Sequence, residues 1–315
     1  MATAATVPLH WLWADGVKRK AWRRYWLRDV LHGLNATVLH YLFKLGTIEA
    51  CSAMGGALGP MVRGGYGAQA ERVRHNIERI RPDLEADLDA AEQRFWENCG
   101  RTLAEFSIID RLWTSSRTVL EGLEHIEAAR ASGRPRIYAG VHLSNWELMA
   151  PKLCDVGEDC ITFYQVPPNR FRRALVERAR RRYQARLLRS GPASALRAVR
   201  RLQSGSGVLV IQLDDEVGGR PRTPAFGRKV ALDGNLGNAV RMALLTNALV
   251  LPAYVLREPG ARFRLFVLPP IEMVRTGDRE TDVRRNAKML NGVIEPIVRR
   301  HLEQWIGLAN LEFKG

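Results

Sequence analysis

Ile137-Tyr138-Ala139-Gly140-Val141-His142-Leu143-Ser144-Asn145-Trp146-Glu147-Leu148 is the stretch from which the fold is read. Ile137 to Val141 is an apolar run of strand length, His142 stands just past its end, and a turn leads into a helix expected from about Asn145. Ser144 or Asn145 can cap that helix, which puts Glu147 in its first turn. From there a carboxylate can swing back to an imidazole at the strand end. It would hold the tautomer and stabilise the imidazolium while the other ring nitrogen faces a substrate hydroxyl. That is a base and its orienter, as acyl transfer needs when the enzyme supplies no nucleophile. An H-x4-E spacing arises by chance in many proteins, and a lone histidine at a strand end is often only hydrogen-bonded. Its place at the carboxyl end of a strand in an α/β sheet gives this one weight.

Working outward, short apolar runs alternate with helical stretches. Ile161 to Tyr164 reads as a strand, followed by a basic helix from Arg170 to Arg189. Val208 to Leu213, apolar except for Gln212, reads as a strand buried on both faces. A helix is expected over Leu236 to Leu245, strands over Leu249 to Val255 and Phe263 to Leu268, and a closing helix over Arg284 to Trp305, bent near Pro296. The fold class is therefore α/β, a central and mostly parallel sheet flanked by helices, with the strand ends near His142 and Asp214 lining one rim. Before it, a helical lead-in occupies residues 63–115. There Val73, Ile77 and Ile80 mark one apolar face, broken at Arg81-Pro82. Asp83 is placed to cap the next helix, with Ala86 in its first turn, and Leu84, Leu88, Phe95, Leu103, Phe106 and Ile109 read as packing residues. No internal repeat or low-complexity linker is present.

The 315 residues are 46% hydrophobic and 26% charged, an ordinary globular composition with ample core. Four cysteines without a C-x-x-C pair argue against structural zinc and a redox motif and for free thiols. No metal-ligand spacing, GxxxxGK[ST] or GxGxxG is found, so no metal or cofactor is expected. The net charge is +15, and only seven of the 48 basic residues are lysines. The arginine excess is either codon bias or the mark of a polyanionic partner, since the planar guanidinium binds phosphate bidentately. Nucleic acid is not expected, for want of a binding module or stacking platform.

No signal peptide is evident. Instead Trp11, Trp13, Trp22 and Trp26 bring half of the eight tryptophans into the first 26 residues, around Lys18-Arg19-Lys20 and Arg23-Arg24. This pairing suits a bilayer's headgroup level. Residues 1–62 are expected to form membrane-associating helices that lie on or dip into the bilayer, and residues 63–315 the α/β domain. In the basic helix Arg170, Arg172, Arg173, Arg178, Arg180, Arg181, Arg182, Arg186 and Arg189 could clamp a phosphorylated headgroup or an acidic carrier protein, or be a solvated face. Asp214 and Asp215 could bind a sugar hydroxyl, position the basic helix, or form a structural salt bridge, and Arg228 could bind phosphate.

The catalytic stretch resembles the H-x4-(D/E) block of the glycerolipid and lipid A acyltransferases. Its glutamate form is similar to that of the late lipid A (lauroyl/myristoyl) acyltransferases of Gram-negative bacteria. Agreement extends over Arg74-His75-Asn76-Ile77 with Arg81-Pro82-Asp83-Leu84, Glu105, Val210-Ile211-Gln212-Leu213-Asp214-Asp215, Phe226-Gly227, Gly237, Thr246-Asn247-Ala248-Leu249-Val250-Leu251-Pro252, and Glu303-Gln304-Trp305 followed by Phe313-Lys314, from about residue 28 to the end. Gln165 stands where relatives commonly carry Arg, and Asp215 where they carry Gln. The resemblance implies a glycerolipid-acyltransferase-like fold on the cytoplasmic face of the inner membrane. It implies transfer of a fatty acyl group from acyl carrier protein to a hydroxyl of an anionic lipid A precursor. His142 and Glu147 would then be catalytic and Asn145, Arg170, Arg173, Asp214, Asp215 and Arg228 substrate-binding. The same chemistry on another glycolipid or a lysophospholipid, and an inert basic membrane-binding protein, are the alternatives.

Overall fold

A computed structural model describes residues 6–182, 185–205 and 207–313; Lys314 and residues 183 and 184 of the expected basic helix lie outside these. The helices are α1 Gly16–Arg23, α2 Asp29–Leu45, α3 Ile48–Val62, α4 Gly67–Ile80, α5 Leu88–Glu105, α6 Ile109–Trp113, α7 Leu123–Ala131, α8 Met149–Asp155, α9 Arg170–Arg180, α10 Pro192–Gln203, α11 Asn235–Thr246 and α12 Arg279–Arg300. The strands are β1 Thr118–Glu121, β2 Arg136–Gly140, β3 Cys160–Tyr164, β4 Arg186–Arg189, β5 Val208–Gln212, β6 Glu216–Val217, β7 Arg220–Pro221, β8 Leu249–Glu258 and β9 Arg262–Val267. Seven form one sheet in the order β1-β9-β8-β2-β5-β3-β4, and β6 and β7 make a separate hairpin. Only the β8–β9 pairing in the large sheet is antiparallel.

Alternation along each strand divides the core between the two faces of the sheet. Ile137, Ala139, Leu209 and Ile211 pack with α10, α11, α12 and the lead-in helices α4 and α5. Tyr138, Val208 and Val210 pack on the other side with α6, α7 and α8. Both central strands are apolar on both faces because each face is roofed by helices. From β2 the chain crosses to β3 under α8, whereas from β5 it crosses the other way to β8 under α11. Neighbouring strands whose connections leave over opposite faces open a crevice at their carboxyl ends, and the site lies there.

Several expected boundaries move. The basic helix stops at Arg180, and Arg186–Arg189 is the edge strand β4, paired in parallel with β3. The Trp146–Leu148 turn is 3-10 and the α-helix begins only at Met149. Ser144 is no cap: it sits at φ 50°, in the left-handed region. Asp83 caps nothing either, its carboxylate being held by Arg81 in a 3-10 stretch ahead of α5. Leu103 is exposed rather than packed. The closing helix ends at Arg300, which frees Trp305 to leave it and form a β-bridge with Leu143.

At the amino-terminal end α3, capped by Thr47, packs directly on α5 across residue 62, where two parts of the chain were expected to meet. A Cβ at Gly59 would stand 2.0 Å from the Trp96 carbonyl oxygen and one at Gly100 2.1 Å from that of Gly55, so only glycines permit this approach. Likewise Gly33 of α2 is covered by the ring of Phe171 of α9. The outer side of α2 carries Leu31, Leu34, Val38, Leu42 and Leu45 in one exposed stripe. Among the described residues no helix is long and apolar enough to cross a membrane.

Candidate active site

Strands β2 and β5 are in register with Gly140 opposite Gln212. His142 and Asp214 each follow two residues later, so the two neighbouring chains carry their functional side chains out of the sheet to equal height. Asp214 Oδ1 stands 2.8 Å from His142 Nδ1, and the His142 backbone N–H donates to the same carboxylate at 2.9 and 3.1 Å. The Trp305 indole N–H donates to Oδ2 at 2.7 Å. Trp146 meets the imidazole edge-on, with ring centroids 4.9 Å apart.

Burial disfavours a charged imidazole, but the negative charge and hydrogen bond of Asp214, with smaller contributions from Glu147 and Asp215, outweigh it. The pKa of His142 is raised. Burial likewise works against the Asp214 anion. The charge and hydrogen bond of His142, the indole donor and the backbone donor overcome that, and its pKa is lowered. Asp214 is thus a buried anion facing a half-exposed base.

Glu147, expected to orient His142, instead takes Arg180 from the last turn of α9, with Nε 3.1 Å from Oε2. Both side chains are largely buried, and both line the same cavity as His142. The displacement follows from the 3-10 turn: without an α-helix starting at Asn145, Glu147 is not carried back over the strand end. Asp214, expected as a sugar ligand or salt-bridge partner, takes the orienting place. Asp215 does line the cavity, but its carboxylate accepts the Asn235 N–H at 2.7 Å, and burial raises its pKa.

Four other expected ligands are engaged elsewhere. Asn145 is buried and its amide donates to Glu105. Arg170 lies over the Tyr25 ring and donates to the Tyr25 carbonyl, tying α9 to the amino-terminal helices. Arg173 donates to the Pro167 carbonyl. Arg228 is turned onto the carbonyls of Pro221, Ala225, Pro224 and Glu312, close to where the chain ends. Each thus donates to the chain itself, and none of the four lines the cavity beside His142.

The loop holding His142 is braced from two sides. Glu105, wholly buried in α5, accepts from Asn145, from the Ser52 hydroxyl of α3 at 2.7 Å, and from Arg257 of β8 at 2.8 Å. Thr102 one turn earlier donates to the Ser144 carbonyl. From the other side the Ser144 N–H donates to the Gln304 carbonyl at 2.8 Å and the Ile306 N–H to that of His142 at 3.3 Å. Arg257 and Trp305 were not recognised as site residues in the sequence. Their signal is only a buried charge and a tryptophan after a helix, neither of which points to a distant partner.

His142 opens into a cavity of about 480 Å³ over the carboxyl ends of β5, β3 and β4. Met149, Ala150, Phe163, Leu187 and Val210 give it an apolar lining, and Glu147, Arg180, Gln165 and Asp215 a polar side. An apolar cleft with a few convergent polar groups is the usual form of a small-molecule site. Among the described residues no group of three or more His, Cys, Asp or Glu could hold a metal ion.

The profile of the bacterial lipid A biosynthesis acyltransferases matches residues 17–313. No curated protein matches the chain. Among solved structures, the 1-acyl-sn-glycerophosphate acyltransferase PlsC of Thermotoga maritima aligns at 13% identity and a TM-score of 0.36, over 62% of this chain and 81% of that one.

Proposed function

Because the chain belongs to the bacterial lipid A biosynthesis acyltransferase family, and is an acyltransferase, we propose that it moves a fatty acyl group from a thioester to a hydroxyl of a lipid A precursor by general-base catalysis at His142. The observation that carries this reading is the His142–Asp214 pair at the rim of an apolar cavity. Asp214 engages Nδ1, so Nε2 is the nitrogen that takes the acceptor's proton as its oxygen attacks the thioester carbonyl. The tetrahedral intermediate then collapses, the C–S bond breaks, and the imidazolium returns the proton to the departing thiolate. Asp214 stabilises the imidazolium throughout, and no acyl-enzyme forms. Arg180, held by Glu147 at the same cavity, acts on negative charge developing there.

The donor in this reading is acyl carrier protein, an acidic partner suited to a chain of net charge +15. The place of action is the cytoplasmic face of the inner membrane, with the exposed apolar stripe of α2 against the bilayer. The test is mass-spectrometric detection of acyl transfer from acyl carrier protein, and from a coenzyme A thioester, to purified lipid A precursors. A product one acyl group heavier than the acceptor is expected with wild type and not with His142→Ala. Equal transfer by the two proteins would overturn the mechanism.

A further inference from the structure

We propose that Trp305 is a positioning residue for this reaction, holding Asp214 in place for His142, and that Gln304 to Gly307 forms part of the active-site framework. This rests on the general-base reading above.

Trp305 is wholly buried and the bulkiest of the wholly buried side chains. Packing alone accounts for an aromatic ring here, edge-on to Phe226 with centroids 5.7 Å apart. Packing does not account for an indole N–H aimed at a carboxylate oxygen at 2.7 Å. Asp214 is buried, and a carboxylate withdrawn from water is driven toward its neutral form unless donors replace the water. One oxygen serves the imidazole. The other keeps its place through the His142 N–H and the indole. The same short segment also bonds the main chain of the catalytic loop, through Gln304 to Ser144 and through Ile306 to His142. Ile306 and Gly307 continue into the wall of the cavity. One piece of chain, far from His142 in sequence, thus fixes the loop that bears the base and the carboxylate that orients it.

The charged groups acting on His142 are Asp214 and Asp215 after β5 and Glu147 from its own loop, the last held by Arg180 of α9. Trp305 adds an uncharged donor to this set. An anion relieved of that donor presents more negative potential to its partner, so the imidazole should bind its proton more tightly.

The test compares wild type, Trp305→Phe, Asp214→Asn and the double variant, with the His142 imidazole titration followed by NMR alongside steady-state kinetics. Replacing Trp305 by β-(3-benzothienyl)alanine, which keeps the ring shape and lacks the N–H, serves if Trp305→Phe does not fold. In Trp305→Phe the titration midpoint should rise and kcat should fall about 10- to 100-fold, the size expected for a hydrogen bond to a charged group, with both KM values unchanged. In the Asp214→Asn background the same substitution should move neither quantity further. An unmoved midpoint in folded Trp305→Phe, or an equal loss in both backgrounds, would overturn the proposal. The titration needs no turnover. If His142→Ala proves fully active, the general-base reading fails while the NMR comparison still decides whether Trp305 holds Asp214.

Discussion

Asp214 holds His142 from the neighbouring strand, its Oδ1 2.8 Å from Nδ1, and not from within the helix that follows the histidine. The two strands are parallel and in register, so a residue two places past Gly140 meets a residue two places past Gln212. The orienting carboxylate therefore comes from a position 72 residues away along the chain.

Asp214→Asn should lower kcat by about 10²–10⁴, the usual worth of a correctly positioned base. The pH profile should shift as well. The pKa of His142 is raised above its ordinary 6.5, and in the proposed mechanism the neutral imidazole is the active form. Activity is therefore lost as pH falls through that raised value. Removing the Asp214 charge moves the acid limb of kcat/KM to lower pH. A limb that stayed in place would separate Asp214 from the base.

Glu147 and Arg180 should behave as a unit. Glu147→Gln and Arg180→Met should each reduce turnover, and the double variant should be little worse than either, because each acts through the pair. Neither should move the acid limb as far as Asp214→Asn does. If Glu147→Gln shifted it equally, the glutamate would be orienting His142 after all.

Glu105→Gln tests the brace behind the loop. Glu105 is wholly buried and Arg257 nearly so. Loss of one partner strands the other charge, which costs about 3–5 kcal/mol. Denaturant unfolding should show that loss. Kinetics on the folded fraction should show reduced kcat, since one acceptor oxygen is left for the three donors Asn145, Ser52 and Arg257, and the catalytic loop is held less firmly.

Gly59→Ala should destabilise the protein by about 1–3 kcal/mol or more, as an overpacked contact does. The clash is with backbone, the Trp96 carbonyl, and no side-chain rotation relieves it. Alanine at Gly64, where a Cβ meets nothing within 4 Å, is the control and should leave the melting temperature unchanged.

Leu34→Glu with Leu42→Glu should weaken sedimentation with vesicles containing anionic phospholipid, without loss of fold, because both side chains already point away from the core. Unchanged sedimentation would move the contact to another surface.

The sequence by itself determined the parts that depend on neighbours along the chain. Apolar runs such as Val208 to Ile211 declared buried strands, the 3.6-residue rhythm through Val73, Ile77 and Ile80 declared a helix face, and His142 past a strand end declared the rim. Its ordered motifs pointed to the family that the match over residues 17–313 establishes. Tertiary structure alone decided who meets whom. That Asp214 and not Glu147 reaches the imidazole depends on strand order, register and a left-handed Ser144, none of which leaves a periodic trace. Arg170, Arg173 and Arg228 read as ligands because charge is visible in a sequence and its partner is not. In the fold each donates to a carbonyl brought close only when the chain folds. Trp305 is the same case in reverse: a core residue by composition, it joins the site through one N–H whose direction only packing sets.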